Sequence, residues 1–334
     1  MGCILGHRFD CLCATYCFEH GVKPPIASPL RLNMTTPTRA LSLTAFLTLL
    51  LIAFMMGANH VAARIAFAQG LDVATAVAVR SLTTASVVGV LLWSHKVSLR
   101  TSASQRKALL ALGVMIGLQS QCLYSSVARL PVALALLAFN TYPLWTALWD
   151  RLFYGRSPDR SLLLAMPVIL LGLALALDVL GASSGLGSSA QWERIGTGVA
   201  FAMTAAAVFG GALVVTQHHT QGLDGRVRTL SSMTLAGLMA VTLIGFQGGP
   251  HWPQAMSGWW GLAMLTFLYG TAFTIMFTVL PRLGVAGNSA IMNVEPVFAL
   301  VLAWLILDQA IAPMQLVGAL LVVSAVVGLG LRKG

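Results

Sequence analysis

Charged residues are scarce in this sequence. Only 9% of its 334 residues are Asp, Glu, Lys or Arg, while 57% are hydrophobic. A soluble domain carries roughly a quarter charged residues, so a water-soluble fold would have almost nothing to cover its surface. In lipid that cover is not needed, because the solvent is itself apolar. Also missing are the alternating apolar and polar residues of membrane-barrel strands. The Gly-x-x-x-x-Gly-Lys-Ser/Thr loop of an ATP-powered protein is absent too. Cysteine is confined almost entirely to the first 17 residues, at Cys3, Cys11, Cys13 and Cys17, in a spacing that matches no familiar zinc pattern. The fifth, Cys122, falls in a long apolar run and reads as a small filler. No metal and no cofactor are expected.

What is present is long apolar runs. A helix needs about 20 such residues to cross the hydrocarbon. Scanning at that length gives ten spans, at 41–60, 73–94, 107–127, 131–152, 161–180, 196–217, 227–247, 259–280, 285–307 and 314–331. The fourth is the least regular, ending on Asp150 and Arg151. The net charge of +10 would suit a nucleic-acid partner, but the positions of the charges point to topology instead. With both termini in the cytoplasm, that side collects Arg8, Lys23, Arg31, Arg39, Lys96, Arg100, Arg106, Lys107, Arg151, Arg156, Arg160, Arg226, Arg228, Arg282, Arg332 and Lys333. The other side receives only Arg64, Arg129 and Arg194, and Arg80 lies inside the second span. This is the positive-inside pattern. It predicts a multi-pass protein of the cytoplasmic membrane, with no nucleic-acid partner.

Residues 1–40 stand apart as an N-terminal cytoplasmic extension, expected to be disordered. They hold Pro24, Pro25 and Pro29 and no apolar run of signal-peptide type. Either Met34, followed by a short polar lead into the first span, is the true start, or residues 1–33 are a disordered extension.

The remaining chain repeats itself. Gln69-Gly70-Leu71-Asp72 recurs 152 residues later as Gln221-Gly222-Leu223-Asp224. At an offset of 153, Gly57 meets Gly210, Gly117 meets Gly270, Arg129-Leu130 meets Arg282-Leu283, Asn140 meets Asn293 and Pro143 meets Pro296. A nearly constant offset through four spans of each half predicts a duplication, with repeats at 41–180 and 196–334 and a linker at 181–195. Each repeat has five crossings, an odd number, so the second copy is inverted relative to the first. The fold expected is an all-α polytopic membrane protein of ten transmembrane helices in two inverted five-helix repeats, a recurrent plan of secondary transporters.

Three stretches carry a likeness to a known family. They are Gly57-Ala58-Asn59-His60-Val61-Ala62-Ala63-Arg64 in the first span, Ala78-Val79-Arg80 in the second, and Asn293-Val294-Glu295-Pro296-Val297-Phe298-Ala299 with Trp304 in the ninth. They resemble the signatures of the drug/metabolite transporter superfamily, EamA type, over roughly residues 41–331. The resemblance implies a ten-helix permease with both ends cytoplasmic that moves small metabolites, amino acids and drugs among them. The chain departs from the pattern at Tyr142-Pro143, where the first repeat lacks the acid, and at Arg156 and Asp308-Gln309, where many members carry one.

Seven polar residues inside spans are the candidates for substrate binding or coupling: Glu295, Arg80, Asn59, His60, Arg64, Asn140 and Asn293. A charge at the bilayer centre costs about 2.5–3.5 kcal/mol on insertion scales, so such residues face a cavity or a partner. Glu295 reads as a proton-coupling carboxyl or a ligand for a substrate amine, or else as a neutral acid that packs the bundle. Arg80 reads as a partner of Glu295, a site for an anionic substrate group, or a snorkelling side chain. Arg64, near a span end, reads as a functional residue or as a snorkelling side chain. His60 can titrate near neutrality or sit satisfied in the interior. Pro143 and Pro296 remove a backbone donor and break their helices at matched positions, so they are expected to shape one cavity. Asn140 and Asn293 precede them by three residues and can bond the freed carbonyls or the substrate. Gly113-x-x-x-Gly117 fits internal packing or a homodimer contact.

The function these features support is a gradient-driven secondary transporter, an exporter, with a small-molecule substrate, the bilayer and a coupled proton as partners. A channel or receptor-like membrane protein is the alternative. An intramembrane enzyme would need a serine elbow with a histidine, or His-Glu-x-x-His. No such constellation is read in the chain.

Overall fold

A computed structural model describes residues 43–156, 160–178, 185, 188–279, 294–309 and 312–332. The N-terminal extension with Met34, Asn293 and the linker residues 181–184, 186 and 187 lie outside them. The described residues form eleven helices and no strand: α1 (Leu43–Ala68), α2 (Val73–Ser94), α3 (Ala103–Arg129), α4 (Val132–Phe139), α5 (Tyr142–Tyr154), α6 (Arg160–Ala176), α7 (Ser188–His219), α8 (Gly225–Phe246), α9 (Met256–Thr278), α10 (Glu295–Leu307) and α11 (Pro313–Arg332). Among the described residues, seven helical segments, with α4 and α5 taken as one, are long and apolar enough to cross a membrane. Three shorter apolar helices lie in α6, α10 and α11. Each of the ten expected spans overlaps one of these ten segments. Large apolar side chains stand out from the bundle, with Phe246 85% and Leu164 71% exposed. That surface is stable against lipid and not against water.

Two boundaries differ from the sequence reading. The fourth span is two helices, because Pro143 has no N–H to continue the ladder and sits in the first turn of α5. Asn140 and Thr141 fill the gap. Asn140 Nδ2 donates to Leu136 O (2.8 Å) and Thr141 Oγ1 to Ala138 O (2.8 Å). The sixth span starts early, at Ser188, inside the segment read as linker. Its polar first turns are anchored, since Gln191 is buried and its Nε2 donates to Leu177 O (3.1 Å).

The duplication is visible in the elements. α2 and α8 are each 22 residues long and begin 152 residues apart, after turns in which Gly70 (φ 90°) and Gly222 (φ 78°) adopt the left-handed conformation. α5 and α10 are each 13 residues long and begin 153 residues apart, and each ends on a left-handed residue, Gly155 and Asp308. Packing is exchanged between the copies. α1 lies against α9 and α10, while α7 lies against α3 and α5. A Cβ on Gly57 would stand 3.0 Å from Ala299 N and Glu295 O of α10; one on Gly210 would stand 2.8 Å from Thr146 N of α5. Thr146 and Ala299 are themselves equivalent at the same offset. Because the opposing atoms are backbone, neither contact can yield cheaply. Gly57→Ala and Gly210→Ala are each expected to destabilise the purified protein by about 1–3 kcal/mol, read as a lower unfolding midpoint in detergent. Unchanged midpoints would contradict the close approach.

Gly113 and Gly117 are used inside the chain, with Leu235 facing Gly113 and Ala236 and Met239 of α8 facing Gly117.

Candidate functional site

The polar residues of the spans converge where α1, α2, α3, α9 and α10 meet. α1 brings Asn59 and His60, α2 brings Arg80, and α10 brings Glu295 in its first turn. α3 adds Ser120 and Tyr124, four residues apart and therefore on one face. Arg80 Nη1 donates to Tyr124 Oη (2.8 Å) and Nη2 to Ser120 Oγ (3.0 Å). Tyr124 Oη in turn donates to Asn59 Oδ1 (2.9 Å). The guanidinium lies 3.9 Å from the centre of the Tyr269 ring and 4.6 Å from that of Tyr124. Cation–π contact of this kind stabilises a desolvated cation. His60 Nε2 lies 3.3 Å from Glu295 Oε1. Arg80 is 2% exposed and His60 3%, whereas the Glu295 side chain keeps 24% of its surface.

Two features of this cluster set its chemistry. Among the described residues no carboxylate lies within ion-pair distance of Arg80; the partner of Glu295 is His60. The buried cation is thus held only by hydroxyls and ring faces. In addition, Arg80 Nε, Asn59 Nδ2 and His60 Nδ1 are buried without a hydrogen-bond partner among the described residues. Buried polar groups are nearly always paired, so this set of mostly donors fits an acceptor-bearing guest. Glu295 sits at the N-terminus of α10, where the helix dipole favours its negative charge.

The other sequence candidates are placed elsewhere. Arg64 donates through Nη1 to Val127 O (3.1 Å) and to Ala128 O, bonding the last carbonyls of α3 as a cation at a helix C-terminus does. Asn140 and Pro143 make the α4–α5 break. Beside it Tyr142, the equivalent of Glu295, packs on Phe139 and Phe209. The acid of one repeat is therefore an aromatic in the other. Pro296 is buried directly after Glu295. Ser120, Tyr124 and Tyr269 were not anticipated. A tyrosine at mid-span, whose hydroxyl needs a partner in lipid, was the available signal for Tyr124.

A second polar group joins α5 to α7. His218 Nε2 donates to Asp150 Oδ1 (2.8 Å), the Tyr154 ring stacks on His218 at 3.7 Å, and Tyr154 Oη is hydrogen-bonded to His219 Nε2 (2.6 Å). Among the described residues no group of three His, Cys, Asp or Glu is placed to hold a metal. The pair is partly buried, so a double-mutant cycle of His218→Ala and Asp150→Asn is expected to give a stability coupling of about 1 kcal/mol or more. Additive effects would mean that the contact carries no energy. One serine pattern escaped the motif reading. Gly181-Ala182-Ser183-Ser184-Gly185 has the spacing of a serine elbow and, except for Gly185, lies outside the described residues.

Apolar helices built twice over around an enclosed polar cluster define a multi-pass membrane transporter. The chain belongs to the EamA-like transporter family, which it matches over residues 43–177 and again over 196–331. It is similar to the threonine/homoserine exporter RhtA of Escherichia coli strain K12, 24% identical over 241 residues that cover 69% of this chain and 73% of that one. It is similar to the same degree to the RhtA exporters of Escherichia coli O6:H1 and O157:H7. A solved crystal structure superposes with a TM-score of 0.55 at 17% identity, covering 87% of this chain and 98% of the other, which shows a shared fold.

Proposed function

We propose that this protein exports small amino-acid-like solutes across the cytoplasmic membrane by alternating access, driven by a proton or solute gradient. The helices make ten crossings in two inverted repeats, with both termini in the cytoplasm, and the substrate site is the cluster around Arg80 and Glu295. The observation that carries this reading is a buried guanidinium without a carboxylate partner among the described residues, close to a histidine-paired carboxylate that keeps some exposure. A zwitterion matches both poles. Its carboxylate takes the charge of Arg80 and the orphaned donors beside it, and its ammonium replaces His60 at Glu295. The rings of Tyr124 and Tyr269 lie against the guanidinium at the first pole.

Proton coupling follows from the same pair. When the ammonium occupies Glu295, His60 is released to exchange its proton with water. When the substrate leaves, His60 and Glu295 close on each other again. Such mutual exclusion at one carboxylate couples two fluxes without any further device. RhtA is named as a threonine/homoserine exporter, and both compounds carry the two charges this site accepts. The test is exchange of labelled threonine in proteoliposomes, with competition by threonine, its amide and its N-acetyl derivative. Competition by threonine alone supports the reading. Competition by all three alike, or flux that does not saturate, as in a channel, counts against it.

A further inference from the structure

The two ends of the duplicated bundle are not in the same state. At one end, the turn 69–72 between α1 and α2 is clamped to the loop 247–255 between α8 and α9. Asp72 N–H donates to His251 O (3.3 Å), His251 N–H donates to Asp72 Oδ2 (2.8 Å), and Gln254 N–H donates to Gln69 O (2.8 Å). The same Asp72 carboxylate caps α2 by accepting from Thr75 N (2.9 Å) and Thr75 Oγ1 (2.6 Å). Beneath the clamp, Leu71, Ala78 and Leu262 are buried together in one apolar cluster.

At the other end no hydrogen bond joins the equivalent parts among the described residues, and Val97 of the loop only packs on the apolar cluster of Val88, Leu92 and Val227. The turn 221–224 holds Asp224, equivalent to Asp72, and the loop 95–102 is equivalent to 247–255. Asp224 accepts from its own helix instead, from Arg226 N (2.8 Å), Nε (3.1 Å) and Nη2 (2.8 Å). Its hydrogen bonds with the Arg226 side chain hold its carboxyl below the usual carboxylate range. Among the described residues, the hydrogen bonds of the loop 95–102 run to the end of α2, within the loop and to the start of α3, through Val97 N–H to Leu92 O, Arg100 N–H to Ser98 Oγ, and the reciprocal Ser102–Gln105 pair. Where the clamped end has Ala78 and Leu262 packed, this end has a cleft of about 420 Å³ lined by their counterparts Leu230 and Leu109, with Leu99, Thr101, Arg106 and Val227.

Inverted repeats exchange conformations between the two membrane faces, so a difference between equivalent ends marks a state and its successor. We infer that this structure is the cytoplasm-facing state, and that Asp72 and Asp224 are the two halves of an exchange latch. Asp72 clamps the outer loops here; when the transporter turns outward, Asp224 leaves Arg226 and clamps the loop 95–102. This rests on the inverted topology and alternating access proposed above, but not on the identity of the substrate. The hydrogen bonds of the observed clamp use backbone groups and one carboxylate, both of which the second repeat also has; the His251 ring, 3.8 Å from Asp72 Oδ2, is the part peculiar to this face. The side chain of Arg226 is the added part. Position 74, its equivalent in the first repeat, is an alanine, so Asp72 has no arginine two residues on to compete for its carboxylate and holds its clamp more firmly than Asp224 can.

The test is disulfide trapping in the full chain with its five native cysteines replaced by alanine, reconstituted in proteoliposomes. The outer pair is Gln69→Cys with Gln254→Cys. The equivalent inner pair is Gln221→Cys with Thr101→Cys. Oxidation is expected to trap the outer pair about tenfold more than the inner pair, because the stable state is the more populated one. A chain carrying all four cysteines is expected to hold one bond or the other, never both. Asp72→Ala shifts trapping from the outer to the inner pair. Arg226→Ala, which leaves the outer cap intact, shifts it the same way by freeing Asp224. Both bonds forming together in one molecule, or a trapping ratio unmoved by either substitution, would overturn the latch. The readout needs no transported compound, so its failure is separate from a failure of threonine exchange.

Discussion

Replacing Glu295 by glutamine is expected to leave the protein folded and in the membrane at the wild-type level, and to reduce threonine exchange about 10- to 100-fold. The size follows from what is lost. A hydrogen bond to a charged group is worth about 1.5–3 kcal/mol, and each 1.4 kcal/mol is about a tenfold change. Glutamine keeps the shape and can still accept from His60 Nε2, which lies 3.3 Å from the carboxylate in the native protein. It cannot hold an ammonium by charge, nor cycle a proton with His60. The loss of exchange should therefore come with a loss of its response to pH. Fold is not at risk, since a neutral group at mid-membrane is cheaper than a charged one. Full activity with an unchanged pH profile would mean that Glu295 only packs the bundle.

Replacing Arg80 by glutamine is expected to have the second largest effect, in the apparent affinity for carboxylate-bearing solutes. Arg80 is buried, bonded to Tyr124 and Ser120, and held against two ring faces. Its charge has no carboxylate partner among the described residues, so a substrate carboxylate is the counterion it can gain. Loss of that pairing should raise the half-saturation concentration about 30-fold or more, by the same charge-assisted hydrogen-bond scale. Arg80→Lys should not restore it. One ammonium cannot serve Tyr124, Ser120 and a carboxylate with the fixed geometry of a planar fork. The informative comparison is threonine against its amide. The wild type should discriminate between them and Arg80→Gln should not. A variant that loses both compounds in proportion would place Arg80 in the scaffold, where its bond to Tyr124 orders α2 against α3.

Much of this architecture is legible in the sequence. The turn Gln-Gly-Leu-Asp, found twice, marks two helix starts in its last residue, and both Asp72 and Asp224 serve as N-caps. Gly57 and Gly210 were matched by offset alone and prove to be the close approaches of α1 to α10 and of α7 to α5. The polar residues Asn59, His60, Arg80 and Glu295 were selected because lipid forbids lone polar groups, and the structure brings them into one cluster.

What stayed hidden has a common cause. A helix that is apolar all round carries no amphipathic signal to tell its inner face from its lipid face. Tyr124 and Tyr269 could not be separated from the tyrosines that favour the membrane interface. Arg64 looked like Arg80 in the sequence. Only the position of the end of α3 shows that its guanidinium reaches the carbonyls of Val127 and Ala128. The early start of α7 was masked by the polar residues Gln191, Glu193 and Arg194, which a hydropathy scan reads as loop.

The most direct test of the central claim, that a zwitterion is carried at the Arg80–Glu295 cluster, is counterflow of labelled threonine into threonine-loaded proteoliposomes. The expected result is saturable uptake by the wild type that is stimulated by internal threonine, is not competed by the amide or the N-acetyl derivative, and is lost in Glu295→Gln. Uptake that is unaffected by internal threonine, or equally competed by the blocked derivatives, or retained in full by Glu295→Gln, would contradict it.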